Sequence, residues 1–424
     1  MTRVTPFALA IVSVAGCGLV LAVLSGRAEL IVAVIPMLLG LLRVLRVPSA
    51  PACALAHEVS DTRVSESEHV RVRVTVAAAR PLPLVELFEP LPAAARLSDG
   101  RNRSVVAVGR SGPAEWTYEI ACARRGPLTV GTVHARIWDR GGLRARDLSL
   151  DARKLVRVYP RLLPVRRLPR PRRTQTSVGN YVARSVGEGL EPGDIRPFVT
   201  GDRVRRVNWR ASLRWQRLYV TEYQQERNAD VVLMLDSLAE FGETPDTTLD
   251  ASIRAVASLT RAYLQRKDRV GFIEYGGFFR SVRPGSGRRQ YERVLDALFR
   301  ADVTFSYVTR DLALVPKRLL PAQALVIGVS PLLEARFEKA IIDLAARGFD
   351  VVILSPSPVP LARRMAPTSR TVDLACRLWT IERRDRADAL RRLGIAVVDW
   401  DPSQPLDVAL HGLAHHRRLR TAYA

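Results

Sequence analysis

Lysine is nearly absent from this chain: only Lys154, Lys267, Lys317 and Lys339 stand among 65 basic residues, which leaves 61 arginines. Acid is also scarce, 42 Asp+Glu, so the formal net charge is +23. Such an excess draws the chain toward polyanions, whether a phospholipid surface or nucleic acid. The preference for arginine, beside many Ala, Val and Leu, also fits the codon usage of a GC-rich genome. Cysteine is limited to Cys17, Cys53, Cys122 and Cys376, with no C-x-x-C spacing and no neighbouring histidine, which excludes a disulfide framework or a zinc site. His57, His69 and His134 stand apart and read as surface or strand-face residues, and so does the His411, His415, His416 group, which has no carboxylate or cysteine beside it. Also missing are a phosphate-binding G-x-x-x-x-G-K-S/T loop, a G-x-S-x-G elbow, an H-E-x-x-H pair and a G-x-G-x-x-G turn. These absences remove the commonest nucleotide, serine-hydrolase, metalloprotease and dinucleotide chemistries.

Apolar matter is plentiful, 47% of 424 residues against 25% charged, so wholesale disorder is excluded and two or three domains are expected. From Val4 to Gly26 no residue is charged, a run long enough at about 1.5 Å per residue to cross a hydrocarbon core of about 30 Å. A second, shorter run follows from Leu30 to Leu42. Residues 1–48 are therefore expected to form a transmembrane helical hairpin. A secretory signal peptide is the competing reading, opposed by the closely following second run and by the lack of an A-x-A-like site. Arg3 before the first run, and Arg43 and Arg46 after the second, predict two spans in the cell membrane with both termini cytoplasmic.

In HVRVRVTV, Val70, Val72, Val74 and Val76 alternate with polar residues, the period of a half-buried strand. LVELFEPL, SVVAVG, AEWTYEIACA and GTVHARIW follow, with Gly and Pro turns between them, so residues 55–160 predict a β-sandwich-like domain. Residues 161–180 crowd Arg161, Arg166, Arg167, Arg170, Arg172 and Arg173 among prolines and read as an extended, solvated linker.

Residues 181–229 hold the densest pattern. Turn signals at Pro192-Gly193-Asp194 and Gly201-Asp202 are surrounded by arginines, with Asn208, Trp209 and Ser212 among them. Basic and aromatic side chains interleaved in this way suit a phosphate backbone with stacking on Trp209 or Trp215. They suit equally a structural clasp in which Arg196 and Arg206 pair with Asp194 or Asp202, Trp209 packs on a domain face, and Asn208 and Ser212 satisfy turn groups.

The pattern G-x-x-P-G-D-x-R-x-F-x-x-G-D-x-x-R-R-V-x-W-x-x-S, from Gly189 through Pro192, Gly193, Asp194, Arg196, Phe198, Gly201, Asp202, Arg205, Arg206, Val207 and Trp209 to Ser212, resembles domain-of-unknown-function family 58. Members of that family are membrane-anchored and carry a von Willebrand factor A-like domain. The resemblance implies a similar fold here and a MoxR-type AAA+ ATPase as partner, in an assembly or chaperone-like role. Asp194, Arg196, Gly201, Asp202, Arg206, Asn208, Trp209 and Ser212 are the candidate motif or partner-binding residues, all but Asn208 on positions of that pattern, and the family has no established activity.

After Asp230, apolar strands alternate with amphipathic helices, so residues 230–424 predict a doubly wound, mostly parallel α/β domain covered on both faces. Ligands of such sheets bind at the carboxyl ends of the strands, where Asp236 ends VVLMLD. The metal-binding form of the von Willebrand A-like domain has D-x-S-x-S there. This chain offers Asp236, Ser237 and Glu240 but places Leu238 and Glu240 at the serine positions, and Ser330 where another aspartate is usual. The expectation is a degenerate ion site with no cofactor, Mg²⁺ at Asp236 being the weak alternative.

These features together predict a membrane-tethered interaction or scaffold protein without catalytic residues, whose partners are the lipid bilayer and an AAA+ ATPase and not a specific nucleic acid. A hydrolase using the central Asp/Arg motif is the first alternative and a polyanion-binding protein the second.

Overall fold

The computed structural model describes residues 2–45, 53–108, 112–139, 141–169, 175–202, 204–304, 316 and 318–413. It is a mixed α/β chain with several sheets and one apolar N-terminal helix, and it divides into two compact units, Met1–Tyr159 and Pro160–Ala424.

The first unit begins with β1 (Thr2–Val4) and two helices, α1 (Pro6–Ser25) and α2 (Ala28–Leu45). Thr5 caps α1 by accepting from the Ala8 amide at 3.2 Å, Pro6 opens its first turn, and Gly26 ends it in a left-handed conformation, φ +64°. At 20 residues α1 is long and apolar enough to span a membrane, whereas the apolar part of α2 is shorter, Ala28–Gly40. Ala8, Ala15 and Ala22 form a buried small-residue stripe on α1, and α2 approaches so closely that a side chain at Gly18 would stand 2.7 Å from Val34 Cγ2.

The strands follow: β2 (Cys53–Val59), β3 (Arg63–Ser65), β4 (His69–Ala78), β5 (Leu82–Phe88), β6 (Ala95–Gly100), β7 (Arg103–Val108), β8 (Ala114–Cys122), β9 (Gly126–Trp138) and β10 (Arg144–Tyr159). They make one sheet in the order β1-β10-β9-β5-β7, with β3 beside β10, and a second in the order β2-β4-β8-β6. Val70, Val72, Val74 and Val76 of β4 share one apolar core with Leu87, Val133 and Val156 of the other sheet. The N-terminus belongs to this unit as well, since Thr2–Val4 pair antiparallel with Arg144–Arg146.

In the second unit, residues 160–169 are extended but not free of the fold. Leu168 is buried in the core, and Leu162, Leu163 and Val165 pack on it. The amides of Arg166 and Arg167 both donate to Asp407 at 2.9 Å, and Tyr263 donates to the Pro169 carbonyl at 2.7 Å. The expected solvated linker is corrected over this stretch: leucines interleaved with the arginines fix it to the domain. Arg170, Arg172 and Arg173 lie outside the described residues.

A two-stranded antiparallel ribbon, β11 (Gln175–Pro197) and β12 (Tyr219–Asn228), encloses a short 3-10 turn at Val204–Arg206 and α3 (Trp209–Trp215). The main sheet consists of β13 (Asp230–Ser237), β16 (Arg269–Gly276), β17 (Phe279–Gly285), β18 (Leu325–Val329), β19 (Asp350–Pro356) and β20 (Ala396–Trp400), with a small hairpin, β14 (Gly242–Glu243) and β15 (Asp246–Thr247), after β13. Its order is β17-β16-β13-β18-β19-β20, parallel except for the antiparallel edge strand β17. Val231, Leu233 and Leu235 of β13 face one core, with α4 (Thr248–Gln265) and α5 (Arg288–Phe299). Val232 and Met234 face the other, with α6 (Ala335–Ala346) and α8 (Arg370–Arg392), while α7 (Val359–Met365) precedes α8. Burial on both sides explains why these strands read as unbroken apolar runs.

Candidate functional site

The second unit holds two constellations that include residues singled out in the sequence. In the first, Arg196 at the end of β11 holds Asp202 through both guanidinium nitrogens, Nη1 to Oδ2 and Nη2 to Oδ1, each at 2.7 Å. Asp202 also accepts from the Val199 amide at 2.9 Å, and Gly201 supplies the positive φ, +110°, that turns the chain between them. The two fork-to-fork bonds and the amide account for both carboxylate oxygens, so this pair closes a loop.

Asn208 follows as the N-cap of α3: its side chain accepts from the Ala211 amide at 3.0 Å and donates to Thr221 Oγ1 of β12 at 3.1 Å. Ser212, buried one turn later, donates to the Asn208 carbonyl at 2.8 Å and accepts from the Tyr219 amide at 2.9 Å. Asn208 and Ser212 thus tie α3 to the ribbon. Thr221, which completes that tie, carried no signal in the sequence.

Trp209 departs from the expectation that it packs on a domain face, since it is 60% exposed. The faces of α3 explain this: Ala211 and Ser212 take the buried positions against β12, and Trp209 lies on the opposite side with Leu213. The side chains of Asp194 and Arg206 lie outside the described residues.

The second constellation sits at the carboxyl edge of the sheet. Numbering its six strands along the chain gives the order 3-2-1-4-5-6, so the order reverses between β13 and β18, where such sheets place their ligands. Asp236, next to last in β13, stands at this point and is fully buried. Ser330, just after β18, donates to its Oδ2 at 2.5 Å, and the Leu238 amide donates to its Oδ1 at 3.0 Å. Burial pushes the Asp236 carboxyl up to about 7, against the opposing effect of these two hydrogen bonds. Ser237 turns away and donates to Glu274 Oε1 at 3.1 Å, where Glu274 also meets Arg280 at 3.0 Å, and Glu240 lies half-buried farther along the loop.

This set does not fit a hard cation. A hydroxyl and an amide engage the carboxylate of Asp236, Leu238 offers no side-chain ligand, and Ser237 faces another strand. Among the described residues no three His, Cys, Asp or Glu side chains cluster closely enough to hold a metal.

The sheet edge is bordered by α8, which sequence periodicity placed only from about Arg383 onward. Arg383, buried, reaches across three strand ends, donating to the Pro331 carbonyl at 2.7 Å, Ser355 Oγ at 2.9 Å and Asp399 Oδ1 at 2.5 Å. Trp379 meets Phe241 of the loop after β13 edge to face, ring centres 5.2 Å apart. On the outer side of this helix Leu374, Leu378 and Ile381 are exposed at i, i+4 and i+7.

Comparison with known proteins places part of this unit. Residues 194–358 match DUF58, a protein family of unknown function. The match runs from the ribbon to the turn after β19 and so includes both constellations. Uncharacterized proteins of Mycobacterium tuberculosis and Mycobacterium bovis are each 26% identical over 119 residues, 28% of this chain, and the chain spans 38% of the length of these curated relatives. Among solved structures, native alpha-2-macroglobulin from Escherichia coli is 17% identical over 27% of this chain and 25% of its own, with a TM-score of 0.21. A non-cellulosomal cohesin from Archaeoglobus fulgidus is 12% identical over 24% of this chain and 90% of its own, with a TM-score of 0.18. Superpositions that poor do not bear on this fold.

Proposed function

We propose that this chain is a membrane-tethered interaction protein that works with a MoxR-type AAA+ ATPase in the assembly or maturation of a membrane-associated complex. The observation that carries it is the state of the sheet edge. The switch-point carboxylate is sealed by Ser330, while the helix beside it displays an apolar ladder, Leu374, Leu378 and Ile381, to the outside. A buried, hydrogen-bonded carboxylate has no access to substrate, whereas an exposed i, i+4, i+7 ladder is the form in which helices enter grooves on other proteins. Strand order 3-2-1-4-5-6 supports a von Willebrand A-like second unit with an eroded ion site. Two antiparallel sheets around one core support a β-sandwich for the first.

Two spans are supported by chain geometry. If α1 crosses the membrane, the chain must cross back before Cys53, because β1, ahead of α1, pairs with β10 of the same unit that β2 enters. Tight packing of α2 on α1 through Gly18 and Val34 suits that return. With Arg3 at the near end of α1, both termini are cytoplasmic. A photo-crosslinking amino acid at Leu378 of the full chain in membranes is expected to label an AAA+ ATPase. Labelling that yields only lipid or no ATPase would refute the docking role.

A further inference from the structure

We propose that the exposed side chains among residues 195–202 and 204–218 form a second, peripheral membrane contact, a surface that lies on anionic lipid. Between Ile195 and Thr221 the sequence holds seven arginines and a single acid, Asp202, which Arg196 already engages. Among these arginines Arg205, Arg210, Arg214 and Arg217 are exposed. So are Ile195, Val199, Val204, Trp209, Leu213, Trp215 and Leu218, with Leu213 80% exposed.

Helix geometry orders part of this surface. At about 100° per residue, Trp209 and Leu213 form one row on α3 and Arg210 and Arg214 the row beside it. The opposite face is fixed by Ala211 and Ser212 against the ribbon, and the Trp215 ring rests on Tyr219 with centres 4.6 Å apart. The apolar side chains of α3 are therefore turned away from the ribbon.

A row of aliphatic and indole side chains beside a row of guanidinium groups matches a bilayer interface, where acyl carbon and anionic phosphate are within one side chain's reach. Nucleic acid would engage the arginines and stack on the two tryptophans, but it offers nothing to Val199, Val204, Leu213 and Leu218. Complementarity therefore favours lipid. The same chain carries a helix able to span a membrane, Pro6–Ser25, and the proposal rests on the membrane-tethered reading to that extent.

The test uses the full chain in nanodiscs of phosphatidylcholine alone or with one third phosphatidylglycerol, with and without brominated acyl chains, reading tryptophan emission. Bromolipid is expected to quench emission in the anionic discs and much less in the neutral ones. The quenching is expected to be lost in the W209F/W215F variant and in the R210Q/R214Q/R217Q variant, which keeps all its tryptophans. Quenching that persists in either variant, or release of quenching by added single-stranded DNA, would overturn the contact. Incorporation into discs without any quenching overturns it alone, whereas failure to enter discs at all overturns the tethered reading as well.

Discussion

Ser330 and Asp236 meet across the centre of the main sheet, hydroxyl to carboxylate at 2.5 Å, where the strand order reverses. This bond turns the place where an α/β sheet usually presents its chemistry into part of the core. Exposed apolar side chains stand beside it on α8, and apolar and basic ones together on α3.

The buried carboxylate has a pH signature. Its folded-state value, about 7, lies above the ordinary aspartate value, so the folded chain retains a proton that the unfolded chain releases. Its contribution is therefore fully present below about pH 4 and is lost as pH rises through 7. Asp236→Asn keeps the shape without the charge. Thermal unfolding is expected to show D236N more stable than wild type at pH 8, by about 1 to 3 kcal/mol, with the difference vanishing near pH 4. A difference independent of pH would mean that Asp236 is not the titrating group.

The Arg196–Asp202 clasp is only partly buried, so its worth is modest despite the bidentate geometry. Asp202→Ala is expected to cost about 1 kcal/mol, because it removes both the guanidinium partner and the acceptor for the Val199 amide. Asp202→Asn, which keeps that acceptor, should cost less. Chemical denaturation of the two variants distinguishes them, and equal losses would assign the whole effect to charge.

Loss of the α3 cap is a separate matter. Asn208→Ala removes the acceptor for the Ala211 amide and the donor to Thr221, for an expected cost of about 1 to 2 kcal/mol. Hydrogen exchange at Ala211 and Ser212 should rise while exchange in β13 stays unchanged. Unaltered exchange at α3 would show that the cap does not hold it.

How far these sites were legible in the sequence differs with the kind of contact. The strands β13, β16, β18, β19 and β20 announced themselves because both faces of each are buried, which leaves short runs of Val, Ile and Leu. The helices α4 to α6 appeared through their apolar stripes. The first half of α8 did not, since Leu374, Leu378 and Ile381 point outward and break the expected pattern. Edge strand β17, Phe279–Gly285, was hidden by its two arginines. The Arg/Pro-rich stretch looked like solvated linker because four interspersed apolar side chains do not make a periodic signal, although they suffice to anchor it. At the sheet edge, the missing serines and the serine at position 330 were plain in the sequence. That Ser330 would bond Asp236, and that Trp209 would face outward, required the backbone.

Helix packing near the N-terminus gives another prediction. Gly18→Leu places a side chain against Val34, whose branched Cβ leaves it little freedom to move aside, and should destabilise the detergent-solubilised chain by about 1 to 3 kcal/mol. Adding Val34→Ala should recover part of that loss. A G18L variant as stable as wild type would show that α1 and α2 do not pack through these residues.

Co-purification measures the proposed docking of an AAA+ ATPase through α8. The full chain is solubilised from its own membranes in detergent with ATP hydrolysis blocked, and bound proteins are identified by mass spectrometry for wild type and for the L374E/L378E variant. A MoxR-type ATPase is expected with wild type, reduced at least about tenfold by the two substitutions in a variant whose unfolding temperature is unchanged. Recovery of no such ATPase, or of equal amounts with both chains, would contradict it.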